Sequence, residues 1–581
     1  MENRKNGSDG MGQNISIGVQ SFEKIRENNY FYIDKTMFIK EWWEKGDDAT
    51  LITRPRRFGK TLNMSMLEQF FSVEYKERGD LFEGLSIWED EKYRKLQGTY
   101  PVISLSFANI KETNYEATCY RIRQLLMKQY QKNSFLLKSE IMSENEKKFF
   151  ERMSYDMSQM DAPMAIYQLS DYLYRYYGKK VIILLDEYDT PMQEAYVLEF
   201  WDELVSFTRS LFNSTFKTNP YMIRGIMTGI TRVSKESIFS DLNSLEIVTS
   251  TSDKYATSFG FTEEEVFSAM DSCGLEKPEQ KELVKKWYDG FVLGKQKDIY
   301  NPWSIINYLS KKKVAPYWAN TSSNSLIGKI LKQGDKEVKS QFEQLLSGEY
   351  LVVELEEEVV FQQLTNKKNA IWSLLLASGY LKVVEVEEPN EYNQRRKSLY
   401  TLGITNLETE IMFADMVKGW FDEAGTDYND FVKALLLGDL SAMNEYMNNV
   451  SEQIFSSFDT GKHPTKKQEP ERFYHGLVLG LLVELQGKYR VTSNRESGFG
   501  RYDVMLEPLE ASLDGIIIEF KVHKPKLENT LEDTVTAALQ QIEEKKYETQ
   551  LIKLGVPKEK IRKYGFGFSG KNVLIGEKME K

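Results

Sequence analysis

Four short, continuously apolar segments alternate with long stretches of helical periodicity in the first half of this 581-residue chain. The segments are "ATLIT", "PVISLSFA", "KVIILLD" and "YMIRGIMTG", at residues 49–53, 101–108, 180–186 and 221–229. Strands that are apolar on both faces are typical of parallel sheets, and the connections between parallel strands are long enough to contain helices. The pattern therefore predicts an α/β unit over residues 20–250.

A phosphate-binding loop is predicted directly after the first of these strands, in "TRPRRFGKTL". Gly59, Lys60 and Thr61 match the end of the pattern Gly-x-x-x-x-Gly-Lys-Ser/Thr, but Arg54 stands where the first glycine is usual. An amphipathic helix follows, so the backbone amides at its start would surround a bound phosphate. We expect Lys60 to neutralise phosphate charge and the Thr61 hydroxyl to bind Mg²⁺.

An acidic pair at the end of the third strand completes the predicted nucleotide site. "VIILLDEYD" places Asp186 and Glu187 at the carboxyl end of a parallel strand, where ligands bind in such sheets. We expect Asp186 to hold Mg²⁺ and Glu187 to orient or deprotonate the attacking water. Arg56 and Arg57 would either add positive charge beside the phosphates or lie in solvent. Together the loop and the acidic pair predict ATP binding with Mg²⁺.

A second group of polar residues lies near the C-terminus, in "GRYDVMLEP" and "GIIIEFKV". Glu519 and Lys521 are two residues apart, so a strand would direct both side chains to one face. Asp503 would lie on the neighbouring strand and share a divalent ion with Glu519. Carboxylates suit Mg²⁺ or Mn²⁺, and Lys521 would stabilise charge on a phosphate that is being cleaved. The alternative is a solvated strand face, although "GIIIEFKV" is apolar on both sides.

Residues on neighbouring predicted helices are weaker candidates for this second site. Gln540, Gln541 and Tyr547, on a helix predicted over 531–550, would either contact the site or lie on the helix surface. Glu471 would either add a carboxylate to the metal site or act as an ordinary acidic residue in the first turn of a helix. The histidines of the chain are dispersed in the sequence and do not predict a metal site.

These motifs, with "FYIDKT", "LLDEYDTPM", "GITRVSKESIFSDLN" and "YNPWSIINYL", resemble the bacterial AAA-ATPase-like family, whose members carry a PD-(D/E)XK nuclease-like domain at the C-terminus. The resemblance covers most of residues 20–310 and 471–581, and the arginine at position 54 is usual in that family. It implies that Thr231 or Arg232, after the fourth strand, reads the γ-phosphate. The implied fold class is α/β, with a parallel P-loop ATPase sheet, a helical middle region and a C-terminal nuclease-like α/β domain.

The predicted fold divides the chain into four parts. "TEEE" at residues 262–265 has a capping-box pattern, and Asn301 precedes a proline at a second helix start. A strand pair is predicted near 351–361 and 380–387, and the Gly/Pro/Lys-rich segment 458–471 predicts a linker. The predicted parts are a flexible tail (1–19), a P-loop AAA-ATPase-like domain (20–255), a mostly helical lid and middle region with the linker (256–465), and a PD-(D/E)XK nuclease-like domain (466–581).

Composition excludes several function classes. The net charge of −11 argues against nonspecific coating of nucleic acid, so DNA or RNA would bind along a local basic track. Two cysteines cannot form a thiolate metal site. The chain has no secretory signal and no apolar segment long enough to span a membrane, so we expect a cytoplasmic protein without a membrane partner.

We therefore expect a protein that binds and hydrolyses ATP and thereby regulates a metal-dependent nuclease that cleaves DNA or RNA. One alternative is a nucleotide-dependent switch whose nuclease-like domain only binds nucleic acid or a partner protein. Another is a transposition-linked or restriction-type motor that moves DNA. An arginine finger would come from a neighbouring subunit or domain, which leaves a homo-oligomer open.

Overall fold

The computed structural model describes most of the chain, in two compact units. The described residues are 14–217, 219–231, 239, 242, 244–319, 327–328, 330–331, 336–346, 348–355, 369–388, 397–422, 429–458, 478, 481–482, 485, 488–493, 496–497, 500–501, 503–510, 512–525, 528–570 and 572–577. Unit 1 comprises Met1–Ile330 and Val352–Thr409, and unit 2 comprises Leu331–Leu351 and Glu410–Lys581. The four-part division expected from the sequence stays a prediction.

Unit 1 is built on a sheet of five parallel strands. In chain order they are β1 Ala49–Thr53, β2 Val102–Ser106, β3 Val181–Asp186, β4 Met222–Gly229 and β5 Leu245–Val248. Their order across the sheet is β2-β3-β4-β1-β5, so β4 separates β1 from β3. This confirms the predicted parallel α/β fold. The fifth strand was not predicted, because β5 has four residues, and three of them are only partly buried.

Helices connect and cover these strands. The α-helices are Phe22–Glu27, Met37–Lys45, Lys60–Phe71, Glu91–Leu96, Tyr115–Lys132, Glu144–Tyr155, Ala165–Tyr177, Thr190–Val197 and Trp201–Phe212, the last followed by a π-helical turn at Asn213–Lys217. Short 3₁₀ helices occupy Val73–Tyr75, Gly79–Phe82, Ser86–Glu89, Ser134–Lys138 and Ala162–Met164. Every residue of β1 and β3 is buried, as expected of strands covered on both faces.

The middle of the chain contains helices and two small sheets. The helices are Glu263–Ser272, Pro278–Tyr288, Pro302–Lys311, Ala370–Ala377 and Leu407–Asp422. One sheet is antiparallel and contains β6 Phe261–Thr262, β7 Phe291–Leu293 and β8 Gln296–Tyr300. The other contains β9 Leu351–Glu354, β10 Leu381–Glu387 and β11 Leu399–Ile404, of which β10 and β11 pair antiparallel. The capping box at Thr262 and the N-cap at Asn301 are present as predicted. Part of the predicted strand 351–361 lies outside the described residues.

Unit 2 is built on a mixed five-stranded sheet. Its strands are β12 Tyr489–Ser493, β15 Val504–Pro508, β16 Gly515–Val522, β17 Ile561–Ser569 and β18 Asn572–Glu577, in that spatial order, and only β16 and β17 pair in parallel. The strands β13 Glu496–Ser497 and β14 Gly500–Arg501 pair with each other. The helices are Lys336–Leu346, Asn429–Leu437, Leu440–Phe458, Leu531–Glu544 and Thr549–Lys553, with a 3₁₀ turn at Lys558–Lys560.

One face of this sheet shares a hydrophobic core with the helices Asn429–Leu437 and Leu440–Phe458. Asn444 uses its side chain to pair both backbone groups of Ile575 on the edge strand β18, at 2.9 and 2.7 Å. The helix thereby covers hydrogen-bonding groups that an edge strand would otherwise expose. The predicted linker over 458–471 and the helix expected after it lie largely outside the described residues.

Helix Leu531–Glu544 packs on the opposite face of the sheet. Glycines of β17 allow this close approach, since a Cβ atom at Gly565 would lie 2.8 Å from the backbone oxygen of Val535. The close packing brings Gln541, near the end of the helix, over the face that carries Glu519. Among the described residues, no helix is both long enough and apolar enough to cross a membrane.

Candidate functional site

The loop after β1 leads into helix Lys60–Phe71. Gly59, with φ of 84°, is the N-cap of that helix and adopts the left-handed conformation that favours glycine. The Nζ atom of Lys60 donates to the backbone oxygens of Arg54 at 3.0 Å and Pro55 at 2.8 Å. Burial lowers the pKa of Lys60, and the nearby carboxylates that follow β3 act in the opposite direction. The lysine is therefore held within the loop, beside the acidic residues.

Arg54 does not face the interior of the loop. Its guanidinium is fully buried and donates to the backbone oxygens of Thr53 at 3.0 Å, Thr249 at 2.7 Å and Lys254 at 3.1 Å. It also lies 5.8 Å from the ring centroid of Phe259. Burial lowers the pKa of Arg54 to about 9. The arginine that replaces the usual first glycine therefore anchors the start of the loop to the segment after β5.

Asp186 ends β3 and accepts two hydroxyl hydrogen bonds. Thr61 Oγ1 donates to its Oδ2 at 2.8 Å, and Thr228 Oγ1 of β4 donates to its Oδ1 at 2.5 Å. Burial raises the pKa of Asp186, while the hydrogen bond from Thr228 opposes that shift. The structure thus brings together Thr61 and Asp186, the two residues predicted to bind Mg²⁺. Thr228 was not predicted; the signal was a hydroxyl near the end of an otherwise apolar strand.

Glu187 follows Asp186 in a left-handed conformation, with φ of 52°, which is rare for residues other than glycine. Its backbone N–H donates to Thr228 Oγ1 at 3.3 Å, and its Oε2 accepts from Thr190 Oγ1 at 3.3 Å. Among the nearby carboxylates, Glu187 has the largest effect on the pKa of Lys60, which it raises. The carboxylate therefore lies at the same edge of the sheet as the loop.

Asp189 connects the acidic segment, residues 186–189, to the end of β4. Its buried Oδ2 accepts from the backbone N–H groups of Ile230 and Thr231, both at 2.9 Å, and from the Thr231 hydroxyl at 3.0 Å. Gly229 permits the approach, because a Cβ atom there would lie 2.8 Å from Asp189 Oδ1. Thr231, one of the two candidates for reading the γ-phosphate, is thus fixed by Asp189. The other candidate, Arg232, lies outside the described residues.

The two remaining loop arginines point to different neighbours. Arg56 Nη2 donates to Gln193 Oε1 at 3.2 Å, on the helix that follows the acidic pair. Arg57, in a left-handed conformation with φ of 63°, is exposed, and its guanidinium lies 4.4 Å from the ring centroid of Trp303. Arg56 therefore faces the acidic segment, whereas Arg57 packs against the helix Pro302–Lys311.

Residues far along the chain hold the outer side of the loop. The backbone oxygen of Arg56 accepts from Asn301 Nδ2 at 3.2 Å and from Trp318 Nε1 at 3.1 Å. Glu408, which is fully buried, accepts in turn from the backbone N–H of Trp318 at 2.6 Å and from Ser304 Oγ at 2.8 Å. Burial raises the pKa of Glu408 to about 7. The loop is thus bound by hydrogen bonds to the middle region of the chain.

This set of groups fits ATP with Mg²⁺. The Thr61 hydroxyl and the Asp186 carboxylate present adjacent oxygen atoms, the ligand type that Mg²⁺ prefers. Lys60 and Arg56 supply positive charge beside a helix start whose amides can donate to phosphate oxygens.

The second site lies on one face of the sheet in unit 2. Asp503, just before β15, accepts from the backbone N–H of Phe520 at 2.8 Å through Oδ2, which places it beside β16. Glu519 is buried and Lys521 is partly buried, and both side chains lie on the face of β16 that helix Leu531–Glu544 covers. The structure therefore brings together Asp503, Glu519 and Lys521.

Gln541 lies between the charged residues of this site. Its Nε2 donates to Glu519 Oε1 and, at 3.2 Å, to the hydroxyl of Tyr547, while its Oε1 accepts from Lys521 Nζ at 2.7 Å. Burial raises the pKa of Tyr547 to about 12, and the charge of Glu519 acts in the same direction. Of the helix residues considered from the sequence, Gln541 and Tyr547 therefore contact the site, whereas Gln540 is exposed.

The site fits a divalent cation by its chemistry, because Asp503 and Glu519 offer carboxylate oxygens of the kind that bind Mg²⁺ or Mn²⁺. His523, after β16, instead contacts the Thr534 hydroxyl through Nδ1 at 2.9 Å. Glu471, the other acidic candidate, lies outside the described residues, as do the remaining two histidines of the chain.

Comparison with known proteins identifies two regions of the chain. Residues 16–239 match the family described as "Predicted AAA-ATPase", and residues 469–578 match the PD-(D/E)XK nuclease superfamily. A curated relative, the uncharacterized protein in the vnfD 5′ region of Azotobacter chroococcum mcd 1, is 25% identical over 400 residues, which are 68% of this chain and 68% of that protein. The matches confirm the resemblance inferred from the motifs.

A solved structure also aligns with the chain. It is a signal transduction ATPase with numerous domains (STAND) that has a tetratricopeptide repeat sensor, from Pyrococcus horikoshii. The sequence identity is 12%, the TM-score is 0.23, and the alignment covers 82% of this chain and 51% of the other. The chain thus spans about half the length of that protein, and the TM-score is too low to show a common overall fold.

Proposed function

We propose that the chain binds and hydrolyses ATP in unit 1, and that this reaction regulates a metal-dependent nuclease in unit 2 that cleaves phosphodiester bonds of DNA or RNA. The observation that carries the proposal is that each unit assembles one set of charged groups suited to phosphate chemistry. Lys60, Asp186 and Glu187 meet at a sheet edge in unit 1. Asp503 and Glu519 meet on the face of the sheet in unit 2.

In unit 1, Lys60 and the amides at the start of its helix would bind the phosphates of ATP. Thr61 and Asp186 would hold Mg²⁺, which when bound neutralises charge on the phosphates. Glu187 would orient the attacking water and accept its proton, since its carboxylate lies at the same edge of the sheet as Lys60.

In unit 2, Asp503 and Glu519 would hold the divalent cation through carboxylate oxygens. A bound Mg²⁺ or Mn²⁺ polarises the phosphate and lowers the pKa of a water ligand. Lys521, which Gln541 holds beside Glu519, would stabilise negative charge that develops on the phosphate. Because the net charge of the chain is −11, we expect the nucleic acid to bind along a local basic track.

The hydrogen bonds behind the phosphate loop support the regulatory part of the proposal. Trp318 links the backbone oxygen of Arg56 to Glu408, at the start of helix Leu407–Asp422. The chain passes from unit 1 to unit 2 within this helix, after Thr409. A change in the loop on ATP binding would therefore reach the connecting helix. A cytoplasmic location and ATP-dependent assembly into a homo-oligomer complete the proposal.

Cleavage of labelled nucleic acid tests the nuclease function. The purified parent chain and Glu519→Gln are incubated with single- and double-stranded DNA and with RNA, with and without Mg²⁺, Mn²⁺ and ATP. We expect the parent to cut in a metal-dependent way and the variant not to cut. Equal cutting by both proteins would contradict the nuclease assignment. Binding without cutting by the parent under every condition would favour a nucleotide-dependent switch that only binds nucleic acid or a partner protein.

Nucleotide binding and turnover test the ATPase function. Lys60→Ala removes the ammonium that lies within the loop, so we expect it to weaken ATP binding strongly and to abolish hydrolysis. Affinity and hydrolysis equal to those of the parent would contradict the assignment of the loop. The mass of the particles in solution, measured with and without ATP, tests the proposed assembly.

A further inference from the structure

Arg56 is the loop arginine whose side chain faces the acidic segment. The Arg54 guanidinium donates to backbone oxygens, and the Arg57 guanidinium lies over the ring of Trp303. Arg56 instead donates to Gln193 Oε1 at 3.2 Å. Its guanidinium is therefore held on the side of the loop where Glu187 lies.

The partner of Arg56 is itself fixed. Gln193 Nε2 donates to Asp189 Oδ2 at 2.9 Å, so both ends of the Gln193 amide are engaged and its orientation is defined. The same oxygen of Asp189 accepts from Thr231. Asp189 thus fixes Thr231 at the end of β4 and Gln193 beside the loop, and through Gln193 it orients Arg56.

The charge of Arg56 acts on the same region as Lys60. It contributes to the lowering of the pKa of the Lys60 ammonium, which the charges of Glu187 and Asp186 oppose. Two cations and three carboxylates, those of Asp186, Glu187 and Asp189, therefore lie at this edge of the sheet. The Arg56 guanidinium is half-buried and lies between the loop and the helix Thr190–Val197.

We propose that Arg56 is an internal arginine finger, a catalytic residue that contacts the γ-phosphate from within the same chain. The inference rests on the proposed hydrolysis of ATP. In that reaction the oxygen of water forms a bond to the γ-phosphorus, and the bond to the β–γ bridging oxygen breaks. ADP leaves with the electron pair, and Glu187 takes the proton of the water. Negative charge grows on the bridging and γ-phosphate oxygens, where the Arg56 guanidinium neutralises it.

This arrangement differs from the expectation that a finger comes from a neighbouring subunit or domain. An arginine in the loop itself makes hydrolysis per chain independent of protein concentration. Gln193 and Asp189 are then positioning residues, because they hold Arg56 and do not contact the phosphate.

The test is Arg56→Ala in the full chain, with Arg121→Ala as the control. Arg121 is an exposed arginine of helix Tyr115–Lys132 and pairs with Glu112 at 3.2 Å. Because an arginine finger is worth on the order of 10³–10⁵ in rate, we expect Arg56→Ala to lower kcat by about that factor. We expect the affinities for ATP and ADP to change by less than about threefold. Trapping of ADP with aluminium fluoride, which resembles the transferred phosphoryl group, should be lost in Arg56→Ala and kept in Arg121→Ala.

Two further variants test the role of Arg56 if Arg56→Ala does not fold. Arg56→Lys keeps the charge but not the planar fork, so we expect it to fold and to stay far below the parent in kcat. Gln193→Leu should lower kcat on the order of 10-fold and leave KM unchanged.

Parental turnover in Arg56→Lys or Arg56→Ala, or equal loss of ADP and ATP binding, would overturn the inference. Restored hydrolysis on mixing Arg56→Ala with Lys60→Ala would overturn it too, because the finger would then act between chains. A parent that does not hydrolyse ATP would instead refute the proposed ATPase.

Discussion

The two candidate sites are built on their sheets in different ways. The site in unit 1 is assembled at the ends of β1, β3 and β4, by loops whose backbone is held from outside the motif. In unit 2, alternation along β16 places Glu519 and Lys521 on one strand face, and Asp503, just before β15, is held beside that strand by the backbone N–H of Phe520. A site made of loops needs distant anchors, whereas a site made of strands takes its geometry from the sheet.

The anchors make this difference concrete. In unit 1, Arg54 binds backbone oxygens after β5, and Asn301 and Trp318 bind the backbone oxygen of Arg56. None of these anchors is expected to contact the nucleotide. In unit 2, the anchor is Gln541, and it contacts both Glu519 and Lys521 directly. Variants of the anchors should therefore act indirectly at the first site and directly at the second.

The largest effect is expected at the second site itself. Asp503→Asn removes a carboxylate ligand, so cleavage of labelled DNA or RNA with Mg²⁺ should fall below detection. ATP hydrolysis should stay within about twofold of the parent, because the two sets of residues lie on different sheets. Mn²⁺ should restore part of the cleavage, since it accepts softer ligands than Mg²⁺. Loss of both activities would show that the two sites depend on each other.

The second largest effect is expected for Glu187→Gln. The amide cannot accept the proton of the attacking water, so ATP turnover should fall on the order of 10²–10⁴-fold, while ATP affinity stays close to that of the parent. Affinity is measured by titration and turnover by phosphate release. Collapsed affinity with surviving turnover would assign Glu187 a structural role. Unchanged cleavage by this variant in the presence of ATP would separate the nuclease from ATP turnover.

A smaller effect is expected for the anchor of the second site. Gln541→Leu removes the hydrogen bonds to Glu519 and Lys521, and loss of such supporting contacts typically costs about 10–100-fold in metal affinity or activity. Gln540→Leu, the exposed neighbour on the same helix, is the matched control. The concentration of Mn²⁺ that gives half-maximal cleavage should rise in the first variant only. Equal behaviour of the two variants would show that Gln541 does not support the site.

The features that could be predicted from the sequence are those that a short sequence pattern determines. Strand β16 and the shared face of Glu519 and Lys521 follow from the alternation of side chains along a strand, and Gly59 to Thr61 from a spaced motif. Neither β17 nor β18 was predicted; for β17 the reason is that the glycines in "KYGFGFSG" weaken the strand pattern. Those glycines admit the helix that carries Gln541.

The contacts that hold the first site join residues far apart in the chain, which no single stretch of sequence reveals. Arg54 was recognised as unusual for a phosphate loop, yet its hydrogen bonds to Thr249 and Lys254 required the position of β5. Thr228 contacts Asp186 because β4, which follows β3 in the chain, is also its neighbour in the sheet. Strand order is a tertiary property, so the role of such residues follows from the fold.

The smallest expected effect is a pH dependence of the free energy of unfolding, which comes from Glu408 in unit 1. Burial raises the pKa of Glu408 from the usual 4.5 to about 7, so the folded chain keeps a proton that the unfolded chain releases between these values. The contribution of Glu408 to stability is therefore full below pH 4.5 and is lost as the pH rises through about 7. Each pH unit of such a shift corresponds to about 1.4 kcal/mol in the free energy of unfolding.

Glu408→Gln isolates this dependence. The glutamine is neutral at every pH; its oxygen can accept from the N–H of Trp318, and its NH₂ group can donate to Ser304, whose hydroxyl can accept as well as donate. We expect the Tm of the parent to fall by a few degrees more than that of Glu408→Gln between pH 5 and 8, since about 1 kcal/mol shifts Tm by roughly 2–4 °C. Gln540→Leu, in unit 2, neither adds nor removes an ionisable group, so it should keep the slope of the parent. Equal slopes in the parent and Glu408→Gln would mean that Glu408 is ionised in the folded chain, and the loop would then be held to a charged residue throughout this range.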